Sequence, residues 1–305
     1  QVYHFHDWCG QQIKTYHVEV IDSDKQYWER EVETVIEAVD KGYIPRAQYG
    51  ALLIDEGHDF DADWLKLVVQ MLDEESNSLL LLYDDAQSIY KKRTGLGFSL
   101  SSVGIQATGR TTILRLNYRN TREILSFAYA FARHYLNPKS ADDDHIPLIE
   151  PEAAGTCGPE PAVRQFDSLA AEVNYSFACL KKWHKQGVPW GEMAVLYIDG
   201  SGGHAISAQL KKAAIPYAWL GSKKYKSAYN PDLDQVTVLS VYSSKGLEFS
   251  RVIMLGIDQV DDSEDNQEDG ARLLYVGMTR AQECLLVTSS GMNKYTQRVL
   301  EVATE

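Results

Sequence analysis

The 305-residue sequence contains only four cysteines, and none is spaced for a metal-binding CxxC pair. Their wide separation argues against a zinc framework or a disulfide scaffold and fits a reducing compartment. The sequence also has no apolar run long enough to span a bilayer, and no signal peptide opens it. We therefore expect a cytoplasmic protein without a membrane partner.

Positive charge is scarce as well, since 30 Lys and Arg face 43 Asp and Glu and the formal net charge is −13. Part of this charge lies in two acidic runs without Lys or Arg, at 142–144 and within 258–269. Such runs are typical of solvated loops. Net charge therefore does not indicate a nucleic-acid-binding protein, and it does not exclude a local DNA groove.

Short apolar runs alternate with segments of helical periodicity, which predicts an α/β fold with parallel sheets. Continuous apolar runs predict buried parallel strands at 51–54 and 79–83. Further short segments rich in apolar residues predict strands at 113–116, 162–166, 193–198, 236–242, 252–255 and 284–288. Apolar residues at helical spacing predict helices at 64–72, 120–136, 168–186, 206–213 and 270–281. For the second of these helices, Asn120 and Glu123 predict a capping box.

A segment rich in Asp, Pro and Gly interrupts this pattern and predicts a linker at 138–160. We therefore expect two domains, one at 1–137 and one at 161–305. The region near 114–136 fits either domain, because its strand and helix lie next to the boundary.

Two carboxylates, Asp55 and Glu56, directly follow the first predicted strand. Ligands bind at the carboxyl edge of open parallel sheets, where these side chains would lie. An Asp there can hold Mg²⁺, and a Glu can activate water for attack on a phosphate. The alternative is structural, because Asp59 or Asp61 can simply begin the next helix.

Other polar residues also follow predicted strands or end a helix. Gln87 can hydrogen-bond a phosphate or a water. The planar guanidinium of Arg119 can donate two hydrogen bonds to a phosphate, and the ring of Tyr118 can stack on adenine. Gly246 lets the backbone approach a ligand. Arg280 ends an apolar helical stripe, from which it can reach the phosphate site of a neighbouring domain. Each feature alone also fits an ordinary turn.

In this order the segments resemble the later motifs of the UvrD/Rep family of superfamily 1 DNA helicases. The segments are LIDEGHD, DDAQSIY, LNYR, SSKGLEF and RLLYVGMTRA, and the opening HFHDW is similar to the family's TFHS element. The resemblance spans positions 2–289 and implies a compact relative without large insertions. It also implies two RecA-like parallel-sheet domains of the P-loop NTPase type, with ATP and Mg²⁺ between them and DNA across both.

The resemblance further implies a role for individual residues. The implied catalytic residues are Glu56, Gln87, Arg119 and Arg280, the metal ligand is Asp55, the nucleotide-binding residues are Tyr118, Gly246 and Glu248, and the DNA-binding residues are Phe5, His6 and Tyr90. For two of the expected DNA-binding residues the alternative is a structural role in the core. They are Phe5, which lies on a strand-like segment, and Tyr90. Four motif residues depart from the family pattern. His58 stands where the family usually has Gln, Asp84 replaces a Gly, Tyr242 replaces a His and Gly277 replaces an Ala.

The sequence contains no GxxxxGK[ST] phosphate-binding loop, and the dipeptide Gly-Lys does not occur in it. In the family this loop precedes the TFHS element, so we expect a fragment whose first domain is incomplete and whose partner is the missing N-terminal segment. The expected function is the motor of an ATP-dependent DNA helicase that moves on single-stranded DNA and unwinds duplex DNA. We expect the isolated chain to be inactive. The alternative is a nucleotide-free scaffold that binds DNA or a partner.

Overall fold

The computed structural model describes residues 1–83, 98–112, 116–136, 152–153, 155–221 and 229–304. They form two compact units, one with residues 1–83 and 98–111 and one with the described residues from 112 onward. Gln87, Tyr90, the strand residues 113–115 and most of the expected linker lie outside the described residues. In the part of the chain that the structure describes, no helix combines the length and apolarity needed to cross a bilayer.

The first unit combines three helices with a short parallel sheet. Its helices are α1 Phe5–Tyr16, α2 Tyr27–Asp40 and α3 Ala62–Gln70, and its strands are β1 Ala51–Ile54 and β2 Ser78–Leu81. The strands pair in parallel, with Ala51 opposite Ser78. The apolar stripes of α1 and α2 bury Trp8 and Val35 against Leu67 of α3, because each helix has one apolar face.

The segment that begins the chain differs from the expectation of a strand. Phe5 is the first residue of α1, and the helix continues to Tyr16. Its apolar positions Trp8, Cys9 and Ile13 recur at helical spacing and are buried. This period of three to four residues, rather than alternation, places these side chains on one helix face.

The second unit is built on a six-stranded, wholly parallel sheet in the order β5-β10-β9-β6-β8-β7. Its strands are β5 Ala162–Gln165, β6 Met193–Tyr197, β7 Tyr217–Trp219, β8 Val236–Ser240, β9 Phe249–Leu255 and β10 Ala281–Ser289. A separate short pair joins β3 Leu116–Asn117 to β4 Glu152–Ala153. The parallel sheet confirms the α/β class.

Helices cover both faces of this sheet. They are α4 Arg122–Ala132, α5 Leu169–Lys185, α6 Gly200–Lys212, α7 Gln267–Met278 and α8 Lys294–Val302. Successive residues of β6 alternate between two cores, since Val195 packs with α5 and α6 whereas Leu196 packs with α4, α7 and α8. Because both faces are covered, all five residues of β6 are buried.

Helix α4 belongs to the second unit, although we expected residues up to 137 in the first domain. Its residues Ile124 and Phe131 are fully buried in the core that α7 and α8 share. The expected capping box is wrong, because Thr121 is the N-cap residue of α4. The Glu123 carboxylate instead accepts a hydrogen bond from the backbone amide of Gly158 at 2.7 Å.

A buried acid, Glu172 of α5, links that helix to the carboxyl ends of β9 and β10. Its Oε1 accepts hydrogen bonds from the amide of Gly256 at 2.8 Å and from the Thr288 hydroxyl at 2.7 Å. Burial raises the pKa of Glu172 above its ordinary value, and these hydrogen bonds only partly offset that effect. Folding therefore favours the protonated form of this side chain.

This raised pKa predicts how stability responds to pH. The contribution of Glu172 is fully present below the pKa it has in the unfolded chain, and it is lost as pH rises through the higher folded pKa. Glu172→Gln keeps an acceptor at Oε1 and cannot ionise. We therefore expect the variant to gain stability over the wild type on going from about pH 5 to about pH 8.

Urea unfolding at both pH values measures this difference, with the exposed Glu160→Gln as the matched control. The control should follow the wild type at both pH values. A Glu172→Gln variant that loses stability most at the higher pH would show that the ionised carboxylate is the stabilising form.

Candidate functional site

Asp55 and Glu56 lie at the carboxyl end of β1, as the sequence predicts. The Asp55 carboxylate is exposed, and its Oδ1 accepts the Glu56 amide at 2.9 Å. Glu56 has a left-handed backbone with a φ of 55° and begins the short 3₁₀ turn Gly57–Asp59. Such a conformation costs a non-glycine residue about 1 kcal/mol, and strain of this kind clusters at functional sites.

The turn after Glu56 is stabilised by contacts with residues at the end of β2. The Gly57 amide donates to the carbonyl oxygen of Leu82 at 2.8 Å. A Cβ atom at Gly57 would lie too close to the end of the Leu81 side chain, so a larger residue there would require that side chain to move. This close approach to β2 fixes the direction in which the Glu56 side chain leaves the sheet.

His58 lies beneath these carboxylates with only 1% of its side chain exposed. Its Nε2 is 3.1 Å from Oε2 of Glu56 and 3.8 Å from Oδ1 of Asp59. One residue that departs from the family pattern therefore contacts the expected water-activating carboxylate directly. Asp59 lies in the 3₁₀ turn, and Asp61 is the N-cap residue of α3, which agrees with the structural alternative for Asp61.

The chemistry at this strand end fits Mg²⁺, which prefers carboxylate oxygens and retains several of its waters. Asp55 offers an exposed carboxylate at the edge where ligands of parallel sheets bind. The neighbouring Glu56 is half-buried. Asp55 is thus placed to hold a hydrated ion, and Glu56 to contact a water beside it.

In the second unit, residues from two of the motif segments meet beside Gln282, which directly follows a third segment. Arg119, which follows β3, forms an ion pair from its Nε to Oε1 of Glu248, which precedes β9. Oε2 of Glu248 accepts a hydrogen bond from the Gln282 side chain of β10 at 3.0 Å. Tyr118 lies beside Arg119 with 77% of its surface exposed. The arrangement therefore places the guanidinium of Arg119, the carboxylate of Glu248 and the exposed ring of Tyr118 close together.

Two asparagines fix this arrangement. Oδ1 of Asn117 accepts the amides of Arg119 and Asn120, which closes the turn that carries Tyr118. Asn120 is fully buried, and its Nδ2 donates to the carbonyl oxygens of Thr279 at 2.9 Å and Ala281 at 2.6 Å. The motif pattern alone does not indicate these roles, although the repeated Asn at a spacing of three residues is a signal for such a turn.

Asn120→Ala should therefore lower the free energy of unfolding by about 2–4 kcal/mol, because two buried carbonyl oxygens lose their donor. The exposed Asn174→Ala on α5 is the control and should change stability by less than about 0.5 kcal/mol. Thermal unfolding of both variants measures this. Equal stability of the two variants would contradict the role of Asn120.

Arg280, between α7 and β10, is 1% exposed. Its Nε donates to the carbonyl oxygen of Val276 at 3.0 Å, and its NH1 makes a longer contact of 3.5 Å with that of Leu247. The NH1 contact is the less buried of the two. NH2 also donates to the Thr279 hydroxyl at 3.4 Å, so the shortest of these three contacts is the one at Nε.

Gly246 occupies an exposed turn between β8 and β9. Its φ of 77° lies in the left-handed region, and a Cβ atom added there would meet no atom within 4 Å. The backbone conformation therefore explains why a glycine stands at this position. The open space above it leaves the backbone accessible.

Phe5 and His6 lie in an aromatic cluster of the first unit. The Phe5 ring is 5.1 Å from that of Trp64 and 5.2 Å from that of Phe60. His6 meets Trp28 and Trp64 edge-on at 5.2 and 5.0 Å, and burial lowers the pKa of His6. These contacts give both residues a packing role, and DNA binding by them stays a prediction.

Two family models described as UvrD-like helicase C-terminal domains match this chain, at residues 112–227 and 235–288. Both matches fall in the second unit, and together they contain the segments of Arg119, Glu248 and Arg280. The first match begins before β3, in agreement with the packing of α4 in the second unit.

Curated proteins with similar sequences are DNA helicases. The mitochondrial ATP-dependent DNA helicase HMI1 of Saccharomyces cerevisiae is 29% identical over 58% of this chain and 26% of its own length. The putative ATP-dependent DNA helicase YjcD of Bacillus subtilis is 25% identical over 72% of this chain and 28% of its own. The ATP-dependent DNA helicase Rep of Salmonella typhimurium is 46% identical over 19% of this chain and 9% of its own.

The chain thus spans about a quarter of the length of the first and second of these relatives. The order of its motifs, the parallel sheet that carries them and both family matches agree with one another. The chain belongs to the UvrD-like helicase family, and its second unit is a UvrD-like helicase C-terminal domain.

Proposed function

We propose that the intact protein, the full polypeptide to which this chain belongs, is an ATP-dependent DNA helicase that translocates on single-stranded DNA. The observation that carries the proposal is the ion pair between Arg119 and Glu248, which come from separate motif segments, together with Gln282 and the exposed ring of Tyr118. In such a cluster, Arg119 can donate hydrogen bonds to a phosphate and Glu248 can accept one from a hydroxyl group. The ring of Tyr118 can stack on a base.

In the first unit, Asp55 would hold Mg²⁺, which supplies charge neutralisation at the phosphates. Glu56 would accept a proton from the attacking water at its carboxylate. His58, whose Nε2 lies 3.1 Å from Oε2 of Glu56, would help to orient that carboxylate. Gln87 would link the γ-phosphate to the DNA-binding surface.

In the second unit, Tyr118 would stack on adenine and Glu248 would accept a hydrogen bond from a ribose hydroxyl, beside the accessible backbone of Gly246. Arg119 now pairs with Glu248, so phosphate oxygens have to compete with that carboxylate for its guanidinium. Arg119 can exchange partners readily, because its side chain is 41% exposed and exposed ion pairs contribute little.

Arg280 would stabilise charge on the γ-phosphate through NH1. A phosphate oxygen can replace the 3.5 Å contact with Leu247 while Nε keeps its bond to Val276. The guanidinium is thereby held in orientation before the phosphate arrives, which is the preorganisation that electrostatic catalysis needs.

Phe5, His6 and Tyr90 would contribute to the path of single-stranded DNA, where aromatic faces stack on bases for about 1–3 kcal/mol each. The net charge of −13 opposes long-range attraction of DNA. We therefore infer that the chain binds single strands weakly and without sequence preference. The proposal also includes that the protein is cytoplasmic and that the intact polypeptide contains an N-terminal P-loop segment.

A second candidate is a nucleotide-free scaffold that binds DNA or a partner protein. The observation that favours it is the absence of GxxxxGK[ST] from this sequence, since the backbone of that loop cradles the phosphates and its Lys neutralises them. ATP hydrolysis by the intact protein, measured with and without single-stranded DNA, distinguishes the two. The helicase proposal requires hydrolysis that single-stranded DNA stimulates.

The same absence predicts that the isolated 305-residue chain hydrolyses ATP no faster than a blank. Without preorganised charge at the phosphates, the barrier rises by several kcal/mol. A coupled phosphate-release assay on the purified chain measures this, with Glu56→Gln as the control for contaminating activity. DNA-stimulated turnover that disappears in Glu56→Gln would contradict the prediction.

A further inference from the structure

The turn that follows β1 brings three different ligand groups together. One ligand atom each from Glu56, His58 and Asp59 lies within 4.8 Å of the others. We propose that these residues form a binding site for a divalent transition-metal ion, of which Zn²⁺ is the representative. The site is distinct from the exposed carboxylate of Asp55, to which we assign Mg²⁺.

The spacing of the ligand atoms suits such an ion. Zn²⁺ lies about 2.0–2.2 Å from histidine nitrogen and carboxylate oxygen, so neighbouring ligands around it are separated by roughly 3–4 Å. Nε2 of His58 is 3.1 Å from Oε2 of Glu56 and 3.8 Å from Oδ1 of Asp59. An ion can thus lie among the three atoms after small side-chain rotations.

Burial and charge support the same site. The His58 side chain is 1% exposed, so packing fixes its ring and Nε2 points at the two carboxylates. The side chains of Glu56 and Asp59 are 42% and 31% exposed, which leaves a route from solvent. Two carboxyl groups face Nε2 of His58, and Asp55 and Asp61 add two further acidic side chains within two residues of them along the chain.

The ligand set indicates which class of ion binds. Mg²⁺ and Ca²⁺ prefer oxygen ligands, whereas an imidazole nitrogen with carboxylates suits Zn²⁺, Co²⁺ and related ions. His58 supplies this nitrogen at the position where the motif pattern has Gln, whose amide oxygen is a different kind of ligand. The expected selectivity therefore follows from the imidazole of His58.

Occupancy of the site would have a consequence for Glu56. A carboxylate that coordinates the ion cannot also accept a proton from water, so the ion would inhibit hydrolysis. This consequence rests on the proposed function, whereas the metal site itself does not.

Isothermal titration of the metal-free chain with Zn²⁺, in the presence of excess Mg²⁺, tests the proposal. We expect one tight equivalent that Mg²⁺ does not displace. His58→Gln removes the nitrogen ligand and keeps a donor to Glu56, and Asp59→Asn removes one carboxylate. Each should weaken that equivalent more than about tenfold, because even the loss of an outer-shell partner costs 10–100-fold.

The matched control is His184→Gln, since His184 is exposed in the second unit and stacks on Trp190. This variant should keep the wild-type affinity. Wild-type affinity in His58→Gln, or displacement of Zn²⁺ by Mg²⁺, would overturn the proposal. If His58→Gln does not fold by circular dichroism, Asp59→Asn decides alone. No step uses ATP, so failure here leaves the proposed helicase function untouched.

Discussion

Arg280→Ala in the intact protein should lower DNA-stimulated ATP turnover by about 10³–10⁵-fold, the range found when an arginine finger is removed. The physical reason is the loss of a positive charge that the carbonyl oxygen of Val276 holds in orientation. The variant should also be less stable, because buried carbonyl oxygens lose a donor at about 1–3 kcal/mol each.

The two effects of Arg280→Ala are separable. Arg272 lies on α7, is 6% exposed and has no role assigned in catalysis, so Arg272→Ala is the matched control for the loss of a buried arginine. Turnover should be measured below the melting temperature of both variants. If both lose turnover equally, the effect of Arg280 is structural and its assignment to the phosphate is wrong.

Glu56→Gln in the intact protein should lower turnover by about 10²–10⁴-fold, the usual contribution of a general base. Gln keeps the length of the side chain and an oxygen that can face Nε2 of His58, which lies 3.1 Å from Oε2 of Glu56. It cannot take a proton from water. Binding of single-stranded DNA should be unchanged, because the substitution removes no aromatic side chain and no positive charge.

Exposed Glu75 of the first unit provides the control Glu75→Gln, which should hydrolyse ATP at the wild-type rate. Steady-state kinetics should show a lower kcat at a similar KM, since the lost interaction forms in the transition state. A Glu56→Gln enzyme with wild-type kcat would assign the water to another residue.

The main elements of the second unit follow from its sequence because its core strands are buried on both faces. Met193–Tyr197 is an unbroken apolar run for this reason, and its prediction was right to within one residue. Phe5 illustrates the opposite case. The residues before Phe5 resemble a strand, and the helical spacing appears only with Trp8, Cys9 and Ile13 beyond it. The contacts of Phe5 with Phe60 and Trp64, distant in sequence, show how this residue packs.

The site was partly predictable for a similar reason. The position of Asp55 and Glu56 follows from the direction of a parallel strand, which the sequence indicates. The hydrogen bonds of Asn120 to Thr279 and Ala281 join segments far apart in sequence, and no local pattern specifies such pairs. The burial of Arg280 is likewise a product of tertiary packing, because its neighbours along the chain do not predict it.

The central claim is that this chain belongs to a motor driven by ATP. The most direct test is strand displacement by the intact protein from a duplex with a single-stranded tail. The account predicts displacement that requires ATP and Mg²⁺, stops with a non-hydrolysable analogue and is lost in Glu56→Gln. Tight DNA binding without ATP-dependent displacement, unchanged in Glu56→Gln, would contradict it and favour the scaffold.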